Sequence, residues 1–257
     1  MFINLIMFDL FLMLCSWVIV TYNHRAGLVD VTWAFAIACN VLIAAFLLDH
    51  APISVRVFLA VGCGLWFFRL AWHLLRRYHQ ETHEDTRYAN MRRAMGKFQH
   101  LGFLLFFLFQ AGLVILFSYP MLALLNASTW QAWTPWCVVL AAFIMLIAFI
   151  GEAIADQQLY RFKLDPKNKG KTLDQGLWKY SRHPNYFFEW LHWFAYPILA
   201  LGAGLPVLWI YPLLMWLFLY YITGIPFSEQ QALVHRGDDY RDYQRRTSMF
   251  IPRQPKK

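Results

Sequence analysis

The chain has 257 residues, of which 59% are hydrophobic, 19% are aromatic and only 15% are charged. A soluble domain of this length would carry about 25% charged residues, and apolar runs recur along the whole chain, so that no separate soluble domain fits in the remainder. The net charge of +8 does not indicate nucleic-acid binding, because the Lys and Arg residues fall in short segments between apolar runs. The composition therefore predicts an integral membrane protein with no nucleic-acid partner.

Apolar runs of about 20 residues recur along the chain, and each is long enough to cross a bilayer as a helix. They predict an all-α fold in which the whole chain, 1–257, is one membrane-embedded domain. The seven predicted transmembrane helices are 2–22, 28–48, 53–75, 100–125, 133–160, 184–203 and 206–226.

The basic residues predict how these helices are oriented. Twenty of the 23 Lys and Arg residues lie in the segments 76–99 and 161–183 and after residue 226. Seven crossings place these three segments on one face of the membrane, and the positive-inside rule assigns that face to the cytoplasm. We therefore expect the N-terminus outside and the C-terminus in the cytoplasm.

Polar side chains recur at helical spacing on three of the predicted spans, and each stripe begins at the cytoplasmic end. A single such residue has an ordinary explanation. A long side chain can extend its charged end to the membrane surface, and two buried polar side chains can form hydrogen bonds with each other. Three converging stripes of both charge signs favour a functional cavity inside the bundle. The stripes are Arg69, His73 and Arg77; Glu152, Asp156, Tyr160 and Lys163; and Asn185, Glu189 and His192.

Two further groups of polar residues lie near the predicted spans. Asp30, at the start of the second span, is either an acid favoured by the helix dipole or a cavity residue. His79, His83 and Glu84 have a spacing that a metal site could use, but they lie in a charged loop with no second cluster elsewhere. We interpret that segment as a solvated loop and predict no metal site.

The segment 176–189 runs from a basic stretch directly into the sixth predicted span. Pro184 suits the first turn of a helix, where its missing N–H costs nothing. Arg182 and His183 then lie just outside the helix start, whose unpaired N–H groups attract anions. The segment therefore predicts a site for an anionic ligand.

Together these residues resemble the membrane family of steroid 5α-reductase-like proteins, and the bacterial branch of that family in particular. The resemblance covers most of the chain, from about Asp30 onward, with a signature region at about 150–257. The matching features are the segment 176–189; Arg69 with Glu-Asp-Thr-Arg-Tyr at 84–88; Gly151, Glu152, 156–159, Phe162 and Lys163; and Tyr240, Tyr243, Thr247 and Phe-Ile-Pro at 250–252.

This resemblance implies a reductase that holds NADPH in a cavity open to the cytoplasm of a bacterial inner membrane. It implies reduction of the C=C of an α,β-unsaturated ketone in a steroid or other lipid, which enters from the bilayer. No obligatory protein partner is indicated besides membrane lipids. Asp156, Lys163, Asn185 and Glu189 match positions that line the cofactor in the family, and Asp30 falls near a Glu that helps to bind the substrate ketone.

The candidate site follows from these matches and from the basic residues, which favour NADPH over NADH because they could contact a 2′-phosphate. The candidate catalytic residues are Asp30, Glu152 and His73. The candidate cofactor-binding residues are Arg69, Asp156, Lys163, Lys171, Arg182, His183, Asn185, Tyr186, Glu189, Arg236, Tyr240 and Arg246.

Two positions depart from the pattern of the family. Phe188 replaces the Gly that usually precedes the Glu, which narrows the space beside Glu189. Trp66 stands where the steroid enzymes have a Tyr, and an indole donates one hydrogen bond but is no proton source. The identity of the proton donor and a steroid as natural substrate are therefore open.

Two other functions are compatible with parts of the pattern. An S-adenosylmethionine-dependent membrane methyltransferase would share the Arg-His-Pro-x-Tyr segment and Glu189, but its cofactor carries no phosphate and needs fewer basic residues. A membrane scaffold without enzymatic activity would tolerate joint replacement of Asp156, Asn185 and Glu189.

Overall fold

A computed structural model of the chain describes residues 1–80 and 83–256. It is 81% helical and contains no strand within those residues, which confirms the all-α fold. Lys257, counted above among the basic residues of the tail, lies outside the described residues. The chain divides into two compact units, Met1–Gln131 and Ala132–Lys257.

Six helices within the described residues are long and apolar enough to cross a membrane, and they coincide with six of the seven predicted spans. They form because an apolar environment offers no partners to the backbone, and a helix satisfies every backbone hydrogen bond within itself. Some are continuous only when adjacent helical segments are taken together. They are Phe2–Asn23, Leu28–Leu47, Ile53–Gln80, Thr86–Asn126, Thr134–Leu164 and Pro206–Arg236.

The first unit is built around its second helix. Small residues along this helix, among them Ala34, Ala36 and Ala38, are completely buried, and they allow neighbouring helices to approach closely. The helices of the unit are α1 (Phe2–Asn23), α2 (Leu28–Leu47), α3 (Ile53–Phe58), α4 (Gly64–Gln80), α5 (Thr86–Met95) and α6 (Gln99–Asn126), with a π-helical turn, Leu59–Cys63, joining α3 to α4.

A buried polar cluster connects three helices of the first unit. The amide Nδ2 of Asn40 on α2 lies 2.9 and 3.2 Å from the two carboxyl oxygens of Asp9 on α1, and 3.3 Å from the hydroxyl of Ser118 on α6. All three side chains are buried. Polar groups within apolar spans are costly unless they pair, so this cluster specifies how α1, α2 and α6 meet.

The second unit begins with the longest helix of the described chain, α7. The helices of the unit are α7 (Thr134–Leu164), α8 (Pro184–His192), α9 (Ala195–Ala203), α10 (Ile210–Leu217), α11 (Ile225–Arg236) and α12 (Asp238–Arg246). Short 3₁₀ turns, Pro166–Asn168, Gly176–Lys179 and Pro206–Trp209, and a π-helical turn, Phe218–Ile222, lie between them.

The predicted span 184–203 is present as two helices of nine residues each, α8 and α9. Trp193 and Phe194 form a turn between them, and the ring of the fully buried Trp193 lies nearly parallel to that of Tyr211 on α10, with centroids 6.2 Å apart. Neither helix is long enough alone to count as a span. The count of seven spans is therefore not confirmed, and the orientation of the termini stays a prediction.

Reporter fusions at both termini test this topology. If the segment 184–203 crosses the membrane, a reporter active only in the cytoplasm will work after Lys257 and fail before Met1, because an odd number of crossings separates the termini. Six crossings would leave both termini on the same face. Equal reporter activity at the two ends would therefore contradict the seven-span prediction.

Candidate functional site

The signature segment 176–189 is attached to α7 by a close backbone approach. Gly176 has a left-handed backbone with φ of 60°, and a Cβ built there would lie 2.4 Å from the amide of Gln158 on α7. The same amide accepts from the backbone N–H of Leu177 at 3.0 Å. The indole of Trp178 donates to the carbonyl of Ala155 at 3.0 Å. The positive φ therefore favours glycine at 176, and any added side chain there would have to displace the Gln158 amide.

The other side of the segment is attached to the C-terminal tail. The hydroxyl of Ser181 donates to the carbonyl of Phe250 at 2.7 Å, and the backbone N–H of Arg182 donates to the carbonyl of Ser248 at 2.8 Å. These contacts explain why residues near the end of the chain accompany the signature segment. The tail satisfies backbone and hydroxyl groups that would otherwise be buried without partners.

Glu229 on α11 forms the centre of a polar cluster at the start of α8. Arg182 donates to both of its carboxyl oxygens, from Nε to Oε1 at 2.9 Å and from Nη2 to Oε2 at 3.1 Å. His183 Nε2 and the hydroxyl of Tyr240 lie 2.8 and 2.7 Å from Oε1, and the amide of Gln244 donates to Oε2. Three predicted cofactor-binding residues, Arg182, His183 and Tyr240, are thus brought together.

The cluster sets the ionisation of its members. Burial lowers the pKa of His183 below its ordinary value, and the hydrogen bond with Glu229 offsets this only in part. The imidazole is therefore neutral at pH 7, with its Nε2–H directed to Glu229. Burial raises the pKa of Tyr240, and the neighbouring Glu229 carboxylate raises it further, so that the phenol remains a donor.

Sequence reasoning missed Glu229, which lies 47 residues from Arg182. A signal was present, because Glu229 is an acidic residue in a C-terminal stretch rich in basic ones. The third nitrogen of Arg182, Nη1, donates to the carbonyls of Gln244 and Thr247 at 3.1 and 2.8 Å. A phosphate bound by Arg182 would share guanidinium N–H groups that already donate to Glu229 and to these carbonyls. The predicted phosphate contact of Arg182 stays a prediction.

The start of α8 faces α7 through two predicted cofactor-binding residues. The amide Nδ2 of Asn185 donates to Oδ1 of Asp156 at 3.3 Å. The amide oxygen of Asn185 is buried and has no hydrogen-bond partner within the described residues. One turn before Asp156 on α7 lies Glu152, a candidate catalytic residue, which is also buried. The α7 and α8 stripes therefore touch where Asn185 meets Asp156, and the convergence of all three stripes on one cavity stays a prediction.

Phe188 brings α8 into direct contact with α7. A Cβ built at Gly151 would lie 2.3 to 2.5 Å from three atoms of the Phe188 ring, so the ring occupies the place of a side chain at that position. Phe188 is one of the two departures from the family pattern. It packs on Gly151, which is one of the residues that match that pattern. The contact determines how closely Asn185 approaches Asp156, because both pairs join the same two helices.

Glu189 and His192 continue the polar face of α8. The indole of Trp193 donates to Oε1 of Glu189 at 3.3 Å, and Nδ1 of the fully buried His192 lies 2.6 Å from the backbone carbonyl of Glu189. These groups follow Asn185 at i+4 and i+7, as the sequence predicts. Glu189 is therefore held on the same face as Asn185.

The remaining cofactor-binding candidates of the second unit lie around this segment. The ring of Tyr186 is parallel to that of His183, with centroids 5.5 Å apart. Arg236 lies over the ring of Tyr240 at 5.3 Å, and Arg246 contacts Asp242 at 3.0 Å. Lys163 and Lys171 are exposed. Their predicted contacts with a phosphate remain predictions.

In the first unit, Asp30 belongs to an ion-pair network. It lies in the first turn of α2 and accepts from Arg87 Nη2 at 3.0 Å and from the hydroxyl of Tyr88 at 2.7 Å. It also lines a small cavity, of about 20 Å³, together with Arg77 and Asp85. Asp30 is therefore an acid at a helix start, and its alternative role in a functional cavity stays a prediction.

The residues 84–88 of the family pattern build this network. Asp85 caps α5 by accepting from the backbone N–H of Arg87 at 2.9 Å, and it also accepts from Arg77 Nη2 at 2.7 Å. Burial alone would raise the pKa of Asp85, but the contacts with Arg87 and Arg77 reverse this and hold it below its ordinary value. The carboxylate is therefore ionised at neutral pH and can hold both guanidinium groups.

Arg69 and His73 lie one turn apart on α4. The guanidinium of Arg69 is 5.3 Å from the ring of the fully buried Trp66, which is the other departure from the family pattern. This cation–π contact gives Trp66 a local role in holding Arg69. The predicted roles of Arg69 in binding a cofactor and of His73 in catalysis remain predictions.

Comparison with known proteins places the chain in a family. The model of a family described as "Protein of unknown function (DUF1295)" matches residues 16–247. The chain belongs to this family. The DUF1295 family includes steroid 5α-reductase-like membrane proteins, which confirms the resemblance at this level but not the steroid reductase branch itself.

One relative of known sequence is "Uncharacterized protein C594.04c" of Schizosaccharomyces pombe. It is 26% identical over 212 residues, an alignment that spans 74% of this chain and 61% of the relative. No solved structure matches the chain.

Replacing Gly151 by Ala tests the contact between α7 and α8. The added methyl group would overlap the Phe188 ring, so we expect a loss of about 1–3 kcal/mol in the free energy of unfolding, read as a lower melting temperature in detergent. Gly112→Ala is the matched control, because a Cβ there meets nothing within 4 Å. Adding Phe188→Ala to Gly151→Ala should cost less than the two single losses combined. Simple additivity would contradict the proposed clash.

Replacing Arg87 by Lys tests the network around Asp30. Lysine keeps the charge but cannot contact two carboxylates through a planar fork, so we expect a loss of about 1–3 kcal/mol in stability. Arg93→Lys is the control, because Arg93 is exposed and, among the described residues, its side chain donates a hydrogen bond to the nearby Asn90 alone. Equal melting temperatures of the two variants would show that the planar fork of Arg87 contributes nothing to stability beyond its charge.

Proposed function

We propose that this protein is an NADPH-dependent oxidoreductase that reduces the C=C of an α,β-unsaturated ketone in a steroid or other lipid. Two observations support the proposal. The chain belongs to a family that includes steroid 5α-reductase-like membrane proteins. In addition, Asp156, Asn185 and Glu189 are all in the second unit, on the facing stripes of α7 and α8, and these positions match cofactor-lining positions of that family.

A third observation, the side-chain oxygen of Asn185 left unpartnered in the described part of the chain, is the one that carries the proposal. Its Nδ2 group is committed to Asp156, while its oxygen is buried without a hydrogen-bond partner within the described residues. A buried acceptor without a donor costs about 1–3 kcal/mol, so an N–H or O–H of a bound molecule would be favoured there. The carboxamide of a nicotinamide and the hydroxyls of a ribose are donors of this kind.

The residues present fit the proposed cofactor. Asn185 would accept from it, and Glu189 and Asp156, which only accept when ionised, would bind ribose hydroxyls. Lys163, Lys171, Arg182, Arg236 and Arg246 are the proposed partners of the phosphate groups. When bound, NADPH supplies the hydride.

The other chemical requirement is an acid near the substrate carbonyl. Negative charge develops on that oxygen as the double bond is reduced, and a positioned donor must stabilise it and a proton must reach the α-carbon. Asp30, Glu152 and His73 are the proposed residues for these tasks. A site among membrane helices would exclude water and admit a lipid-like substrate from the bilayer. The proposed location is a bacterial inner membrane with the cofactor site facing the cytoplasm.

Cofactor titration of the detergent-purified protein tests the proposal. We expect binding of NADPH, weaker binding of NADH because it lacks the 2′-phosphate, and no binding of S-adenosylmethionine. One charge-assisted contact contributes about 1.5–3 kcal/mol, which corresponds to at least tenfold in affinity. Binding of S-adenosylmethionine without NADPH would instead favour a methyltransferase.

The variant Asn185→Ala distinguishes a cofactor role from a structural one. We expect it to weaken NADPH binding and abolish reduction of an enone lipid, while the protein stays folded. Asn168→Ala is the matched control, since Asn168 also donates a side-chain hydrogen bond, to the carbonyl of Phe162 at 3.0 Å, but lies outside the site. If Asn185→Ala melts earlier yet keeps the full NADPH-induced rise in melting temperature, Asn185 only clamps α7 to α8.

A further inference from the structure

We propose that Glu229 is a positioning residue, which holds Arg182 and His183 in place at the start of α8 and fixes the tautomer of His183. Glu229 lies on α11 and belongs to none of the sequence features that carry the family resemblance. The inference rests on the proposed function, because it concerns how the proposed cofactor site is held in shape.

The carboxylate of Glu229 is fully used by side chains of this protein. Its Oε1 accepts from Arg182 Nε, His183 Nε2 and the Tyr240 hydroxyl, and its Oε2 accepts from Arg182 Nη2 and the Gln244 amide. A carboxylate offers about four lone-pair sites, so five donors leave no capacity for a ligand. Glu229 therefore acts through its neighbours and does not itself contact a substrate or cofactor.

The contacts connect elements that are distant in sequence. Arg182 and His183 precede α8, whereas Tyr240 and Gln244 lie on α12, and Glu229 joins the two through α11. The side chains of Arg182, His183 and Glu229 are 10, 6 and 12% exposed, so the hydrogen bonds lie largely out of water. Fork-to-fork pairing of Arg182 with Glu229 also restricts the angle at which the guanidinium can lie.

The consequence for His183 is a single defined form of the imidazole. With Nε2–H donated to Glu229, the lone pair of the neutral ring is on Nδ1, which makes Nδ1 an acceptor. The ring is parallel to that of Tyr186, and Asn185 follows two residues later in the first turn of α8. Loss of the carboxylate would release the imidazole and guanidinium groups immediately before the residue proposed to contact the cofactor.

The test compares Glu229→Gln with Asp238→Asn. Glutamine keeps the size of the side chain but replaces one acceptor oxygen with a donor that opposes the donors of its neighbours. Asp238→Asn makes the same change of charge on α12, at an exposed residue that pairs with Arg241 at 2.7 Å. We expect Glu229→Gln to weaken NADPH binding about tenfold in the folded fraction and Asp238→Asn to leave it unchanged.

A double-mutant cycle separates positioning from general stabilisation. If Glu229 acts through His183, then Glu229→Gln should weaken NADPH binding much less in a His183→Gln background than in the native one. Equal effects in the two backgrounds would overturn this part of the inference. So would a Glu229→Gln protein that melts earlier but binds NADPH like the control. If Glu229→Gln does not fold, Glu229→Asp keeps the charge but withdraws the carboxylate from Arg182 and His183 by one methylene. NADPH affinity equal to that of the native protein would then overturn the inference.

A measurement without cofactor keeps this inference distinct from the proposed function. Nitrogen NMR of the protein labelled at histidine should show His183 in the Nε2–H tautomer, and Glu229→Gln should produce a mixture of tautomers while Asp238→Asn does not. If the native protein binds no NADPH, the proposed function fails and this spectrum alone decides the role of Glu229. An unchanged His183 signal in Glu229→Gln would refute it.

Discussion

Five donor atoms from four side chains share the two oxygens of Glu229, and the arrangement of the second unit around the start of α8 depends on this carboxylate. Arg182 is a cation with little exposure to water, and an unpaired buried charge is strongly destabilising. Glu229 neutralises it in a fork geometry and at the same time satisfies His183 and Tyr240. The signature segment, α11 and α12 therefore meet at one point.

The need to pair buried polar groups also organises the first unit, where other residues satisfy it. Arg87 contacts both Asp30 and Asp85, so that α2 and α5 are connected by charges close to the ends of the apolar helices. Farther inside, Asp9, Asn40 and Ser118 form a cluster with no arginine or lysine among their hydrogen-bond partners in the described residues. In a hydrocarbon environment such groups have few alternatives to one another, so each polar contact specifies which helices are neighbours.

Side chains that pack against glycines hold the signature segment close to α7 in the second unit. Gln158 fills the space at Gly176 and Phe188 fills the space at Gly151, so the signature segment touches α7 at two points where an added Cβ would displace a neighbouring side chain. Between these points lie Asp156 and Asn185. The Asn185 oxygen is a buried acceptor without a partner in the described residues, and such a group persists only where the surrounding structure holds it in place. This is the physical reason for placing the proposed cofactor contact there.

The sequence alone determined the membrane class, six long helices and the start of α8 at Pro184, because these follow from local properties: runs of apolar residues, helical spacing and the geometry of proline. It also placed Asn185 and Glu189 on one helix face. Only the tertiary structure decided that the span 184–203 breaks at Trp193, that Asn185 meets Asp156, and that Glu229 holds Arg182 from 47 residues away. Helix hydrogen bonds join residues four positions apart and can be recognised from sequence, whereas the partner of a buried charge depends on how distant helices pack.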